Sequence, residues 1–135
     1  MKKSLKLEIE FYQNLGKLFY AIAASDKIVR ETEIETLIKL VKSKWLPLDD
    51  FEDEFQVDAA HQIETVFDWL NCEGGLHTKS CFNDFRSFKR ENESLFNEKR
   101  KDLIWRTSSE IANSFAGKNK SELIILAKLK MLLKK

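Results

Sequence analysis

The chain has 135 residues, 23 Lys or Arg against 22 Asp or Glu, a net charge of +1 and 43% hydrophobic residues. That length suits one domain over residues 1–135 with a core of its own, and the near-zero charge excludes a global field that would recruit nucleic acid or a membrane surface. One proline and four glycines leave few breakers, which favours long helices over a many-stranded sheet.

The first predicted helix runs from about Leu5 to Ala24. Leu15, Leu18, Phe19 and Ile22 share one stripe, with Phe11 and Tyr12 at its start. Gly16 lies inside it. A helical glycine costs roughly 1 kcal/mol against alanine, so a neighbouring helix is expected to pack closely there. A second helix runs from about Glu31 to Trp45, with Ile34, Leu37, Ile38 and Val41 inward, and Leu46-Pro47 stops it.

A third helix, from about Asp58 to Cys72, turns Ile63, Val66, Phe67 and Leu70 inward and ends at Gly74-Gly75. Thr78 is the candidate cap of a fourth, about Lys79 to Lys89, whose apolar side is Phe82, Phe85 and Phe88. A long fifth helix is predicted from about Glu93 to Ala116, with Gly117 placed to end it. Asn119 is expected to cap the sixth, with Glu122 at its third position. That helix (Leu123, Ile124, Ile125, Leu126, Leu129, Leu132, Leu133) is apolar nearly all round, a pattern expected at the centre of a bundle or under another subunit. No segment alternates with period two, so the fold class is all-α, a single bundle of about six helices.

The stretch Phe11 to Leu37 reads as an amphipathic helix, a tight acidic turn at Asp26 and a second helix opened by Glu31, Glu33 and Glu35, with small residues (Ala21, Ala23, Ala24) just before the turn. It resembles the helix–turn–helix signature of the TerB-like family, small all-helical domains named for tellurite resistance. That family is built from two such halves. The chain carries an internal echo, since AIAASDKIVRETEIETL and SFAGKNKSELIILAKL both place small residues, a turn and a glutamate that opens an apolar helix; the spacings differ by two residues, and the shared chemistry of capped helices also accounts for it. By this resemblance Asp26 and Glu33 match the family's turn acid and helix-opening glutamate, and Glu122 matches the glutamate of the second half. The family's acids are viewed as metal contacts. Here Lys27 stands where the family carries glycine, and Arg30 occupies the cap position.

Read from its residues, the turn is not an EF-hand. Counted from Asp26, the third, fifth and sixth positions are Ile28, Arg30 and Glu31, and the twelfth is Leu37. Local capping accounts for the acids better. Asp26 is placed to accept from loop amides, Glu33 to reach back to the Arg30 amide, and Glu31 and Glu33 to face the positive end of the helix. The competing reading makes Asp26, Glu31 and Glu33 a weak divalent-cation site, with no other cofactor implied.

Cys72, His77 and Cys81, with His61, Asp68 or Asp84, are zinc-ligand types. Their spacing contains no C-x2-C pair, and buried structural cysteines are the expectation. Arg86, Lys89, Arg90, Lys99, Arg100, Lys101 and Arg106 interleave with Phe82, Phe85, Phe88 and Trp105 in the fourth and fifth helices, a pattern that single-stranded nucleic acid can use. Three-residue phenylalanine spacing is also that of a core face, and nearby acids dilute the charge. No catalytic residue is identified, because the chain has no P-loop, G-x-S-x-G, H-E-x-x-H or dinucleotide-binding turn.

No window reaches the ~20 apolar residues of a membrane span. Glu8 and Glu10 interrupt any signal-peptide-like run behind Lys2 and Lys3, and two cysteines without such a signal point to a reducing cytoplasm. From Asp49 to Glu73 there are nine acids and no Lys or Arg, whereas both ends are basic. The expectation is a non-enzymatic, cytoplasmic, stress-associated adaptor or interaction module. Its partner would be a protein meeting the acidic segment or the last helix, or a second copy through the C-terminal helix. The alternatives are cation binding at the Asp26 turn and, with less to favour it, nucleic-acid binding along the basic–aromatic strip.

Overall fold

A computed structural model describes residues 2–25, 29–45, 59–73, 78–114 and 120–134, with side chains from residue 6 onward. Asp26, Pro47, the acids of 49–58, His77, Gly117 and Asn119 lie outside the described residues. Six α-helices account for nearly all of the rest: α1 (Lys2–Ala23), α2 (Glu31–Leu40), α3 (Gln62–Glu73), α4 (Thr78–Glu91), α5 (Glu98–Asn113) and α6 (Lys120–Leu133). A π-helical turn, Val41–Trp45, continues α2, and short 3-10 turns precede α3 (Ala59–His61) and α5 (Glu93–Leu95). Among the described residues there is no strand, and no helix is long and apolar enough to cross a membrane.

The central helix is α1, which packs on α3 and α4 most extensively and also on α5 and α6. Its stripe broadens toward the C-terminal end until every residue from Leu18 to Ala24 is buried. Ala21, Ala23 and Ala24 permit this, because a helix enclosed on all sides needs small residues where its neighbours come closest. Gly16 makes the closest approach. A Cβ there would stand 2.8 Å from the Ile63 carbonyl oxygen and 2.9 Å from Val66 Cβ on α3. The helical glycine is tolerated for the reason its sequence position suggests.

The π turn delivers Trp45 into the core against Phe11, Tyr12 and Phe19, with ring centroids 6.1 to 6.4 Å apart. Its indole Nε1 donates to Thr107 Oγ1 on α5 at 3.0 Å, so the buried N–H is satisfied. Phe96 joins the same core, 5.2 Å from Phe11 and 5.9 Å from Phe85.

One expectation changes and another narrows. The fifth helix begins at Glu98 and not near Glu93. Burying Phe96 bends the chain there, and Asn97 then caps α5, its Oδ1 accepting from Arg100 N at 2.8 Å. Of the two places expected for the last helix, the centre of the bundle belongs to α1, and α6 packs on α5 and α1. It buries Leu126, Leu129 and Leu133 but leaves Leu123, Ile124 and Met131 50 to 70% exposed.

A buried carboxylate pair as the candidate functional site

The opening of α2 is set by local chemistry. Arg30 is extended (φ −92°, ψ 150°), and the chain turns helical at Glu31. Glu33, the third helical residue, returns its Oε1 to accept from Arg30 N at 2.8 Å, while Glu33 N donates to Arg30 O at 2.9 Å. The capping role expected for Glu33 is therefore present. Glu31, two positions earlier, is exposed, as residues two apart on a helix do not share a face. Asp26 lies outside the described residues. The acids of the turn thus separate into one outside, Glu31, and one inside, Glu33.

The group that faces Glu33 comes from the far end of the chain. Glu122 is the third residue of α6, as Glu33 is of α2. Glu122 is 2% exposed and Glu33 is 0% exposed, and the two side chains are within hydrogen-bonding reach. Glu33 Oε2 is sealed from water and meets no N–H donor. Two carboxyl groups form a hydrogen bond only when one of them holds a proton.

The electrostatics agree. Burial pushes the Glu33 carboxyl up to about 7, and the hydrogen bond and charge of Glu122 add to the rise. The Arg30 amide and, more weakly, the Arg30 charge pull the other way. Each helix N-terminus offers roughly half a positive charge to the carboxylate on its first turn. Two such termini offset about one negative charge of the pair, and a shared proton offsets the other.

Chemically the pair can hold a proton between its halves, or present two hard oxygen ligands to a divalent cation that displaces that proton. Among the described residues no group of three or more His, Cys, Asp and Glu could hold a metal ion, so further ligands would be carbonyl oxygens or water. Neither glutamate lines the cleft between α2 and α3 or the hollows beside α6. A carboxyl so enclosed does not reach a substrate, as general acid–base chemistry requires.

Among the described residues the remaining candidates do not assemble, and His77 lies outside them. Cys81 is buried in the core, where desolvation raises its thiol pKa above the usual value, and Cys72 is exposed at the end of α3. A buried thiol of this kind is unreactive. His61 Nδ1 lies 3.8 Å from Glu64 Oε1, one turn along. The basic–aromatic strip is dispersed by packing. Phe82, Phe85 and Phe88 are buried, and so are Lys89 and Arg100. Lys89 pairs with Glu93 at 2.6 Å. Arg100 pairs with Glu8 at 2.6 Å, donates to the Leu95 carbonyl and stacks 4.2 Å from the Phe11 ring.

Sequence reasoning placed Glu122 at the right helical position but not beside Glu33. The signal was the internal echo, which assigns both glutamates the same station in two similar halves. Protein-family models, curated proteins and solved structures were compared with the chain, and none matches it.

Proposed function

We propose that this chain is a non-enzymatic interaction module of the TerB-like kind, acting in the cytoplasm by association with a protein partner. The observation that carries the reading is α6, where Leu123, Ile124 and Met131 stand 52, 50 and 70% exposed. Exposed apolar side chains grouped on one helix mark contact surfaces. The test is in-cell crosslinking with mass spectrometry on the wild type and on Ile124→Asp and Met131→Asp. A specific set of crosslinked proteins, lost in both variants while the melting temperature holds, supports the reading. Identical sets would end it. A stress-associated role, including one in tellurite resistance, follows only from the family resemblance, and tellurite sensitivity of a deletion strain is its direct check.

A second reading is favoured by one observation, the convergence of Glu33 and Glu122. It makes the pair a weak divalent-cation site joining the two helix openings, with Glu122 in the place expected for Glu31. Cation binding must displace the shared proton, so calcium, magnesium or zinc should raise the melting temperature more at pH 8 than at pH 6. The increase should vanish in Glu33→Gln and in Glu122→Gln. A response equal in the wild type and both variants, or none at all, rejects this reading.

A further inference from the structure

Between α4 and α6 two hollows, about 370 and 330 Å³, adjoin and share Phe82, Asn83 and Lys128 in their walls. Together they form one groove along α6 from Ser121 to Leu132, roughly 16 Å or three helical turns long. Its apolar lining is Phe82 from α4 and Ile124, Ile125, Met131 and Leu132 from α6. Lys79 and Arg86 on α4 and Lys128 on α6 line it as well.

Among the described residues the charge that lines the groove is of one sign, and no carboxylate lines it. Surface cations elsewhere do have acid partners, as in Lys17–Asp84 and Arg106–Asp102, whose cations are on α1 and α5. Among the described residues Arg86 donates to the neutral Asn83 amide, at 3.1 Å. A lining of apolar side chains and cations, with no carboxylate among the described residues, is the complement of an amphipathic helix that carries acids beside its apolar stripe.

We infer that the α4–α6 groove is the docking site for an acidic amphipathic helix of a partner protein. The inference rests on the interaction-module reading and adds the chemistry of the partner. A second copy of this chain fits less well. A two-fold contact through the groove sets the same patch against itself, so Lys79, Arg86 and Lys128 would meet their own images.

The test uses the full chain and a fluorescein-labelled synthetic helix with leucines at i, i+3, i+4 and i+7 and glutamates on both flanks, read by fluorescence anisotropy. Saturable binding is expected. It should weaken about tenfold in Lys128→Glu and in Met131→Asp, weaken with added salt, and be absent for the same peptide carrying lysines in place of glutamates. Both substituted residues are exposed, and unchanged melting temperatures will show that the fold is intact. No saturable binding, or binding indifferent to the two substitutions, overturns the inference. Co-sedimentation with phosphatidylserine vesicles that exceeds peptide binding, or a dimer in light scattering that Met131→Asp dissociates, overturns it in favour of lipid or of self-association. If the peptide fails while crosslinked partners still depend on Ile124 and Met131, only the acidic-helix identity falls. If both fail, the interaction-module reading falls with it.

Discussion

Glu33 and Glu122, each the third residue of its helix, meet inside the protein, one 0% and the other 2% exposed. Each is held near the positive end of a helix, so the burial of two like charges is partly offset before any proton or cation arrives. The contact ties the start of α2 to the start of α6, and so joins the two segments that the internal echo relates.

The pair makes stability depend on pH. In the fold the Glu33 carboxyl keeps its proton to about pH 7, against an ordinary value of 4.5. Between those values the folded state binds more protons than the unfolded one. This contribution is therefore complete below about pH 4.5 and is lost as pH rises through about 7. Glu33→Gln keeps the acceptor for Arg30 N and supplies a permanent donor to Glu122. The variant should lose the slope between pH 4.5 and 7 and exceed the wild type at pH 8 by about 3 kcal/mol in urea unfolding. Parallel pH profiles for the two proteins would show that the carboxyls do not share a proton.

Gly16→Ala should destabilise the protein although alanine is the better helix former. The propensity gain is about 1 kcal/mol, but the added methyl would stand 2.8 Å from the Ile63 carbonyl oxygen and 2.9 Å from Val66 Cβ. Those atoms belong to the interface of α1 with α3, so the helices must move apart. A net loss of about 1–3 kcal/mol is expected. A neutral or stabilised variant in chemical denaturation would mean that the interface yields freely.

Thr107→Val removes the acceptor of the Trp45 indole and leaves a buried N–H without its bond. The expected cost is about 1–2 kcal/mol. Trp45 emission should also shift, read with 295 nm excitation in a Trp69→Phe, Trp105→Phe background that leaves Trp45 as the sole tryptophan. Unchanged stability and emission would mean that the indole finds another acceptor.

Arg100→Ala should cost about 3 kcal/mol, because Glu8 loses its partner in a half-closed site and Phe11 loses the stacked guanidinium. Arg100→Lys should recover only part of this, since an ammonium cannot serve Glu8 and the Leu95 carbonyl with one planar fork. Full recovery by lysine, measured by thermal melting, would reduce the site to a simple charge pair.

What the sequence determined by itself is local. Apolar spacing defined six helices, because side chains three and four apart share a face whatever surrounds them. Glu33 was legible as a cap, since its partner is three residues away, and Gly16 marked a close approach because little else explains a glycine within a helix. The tertiary structure decided the rest. The break before Asn97 depends on where Phe96 must be buried. The place of α6 and the enclosure of α1 depend on which faces find neighbours, and an all-round apolar pattern does not specify that. The meeting of Glu33 with Glu122, and of Trp45 with Thr107, joins groups whose separation along the chain carries no distance information. Such contacts exist only once whole helices are oriented against one another, and that orientation comes from packing summed over the core, not from any one segment.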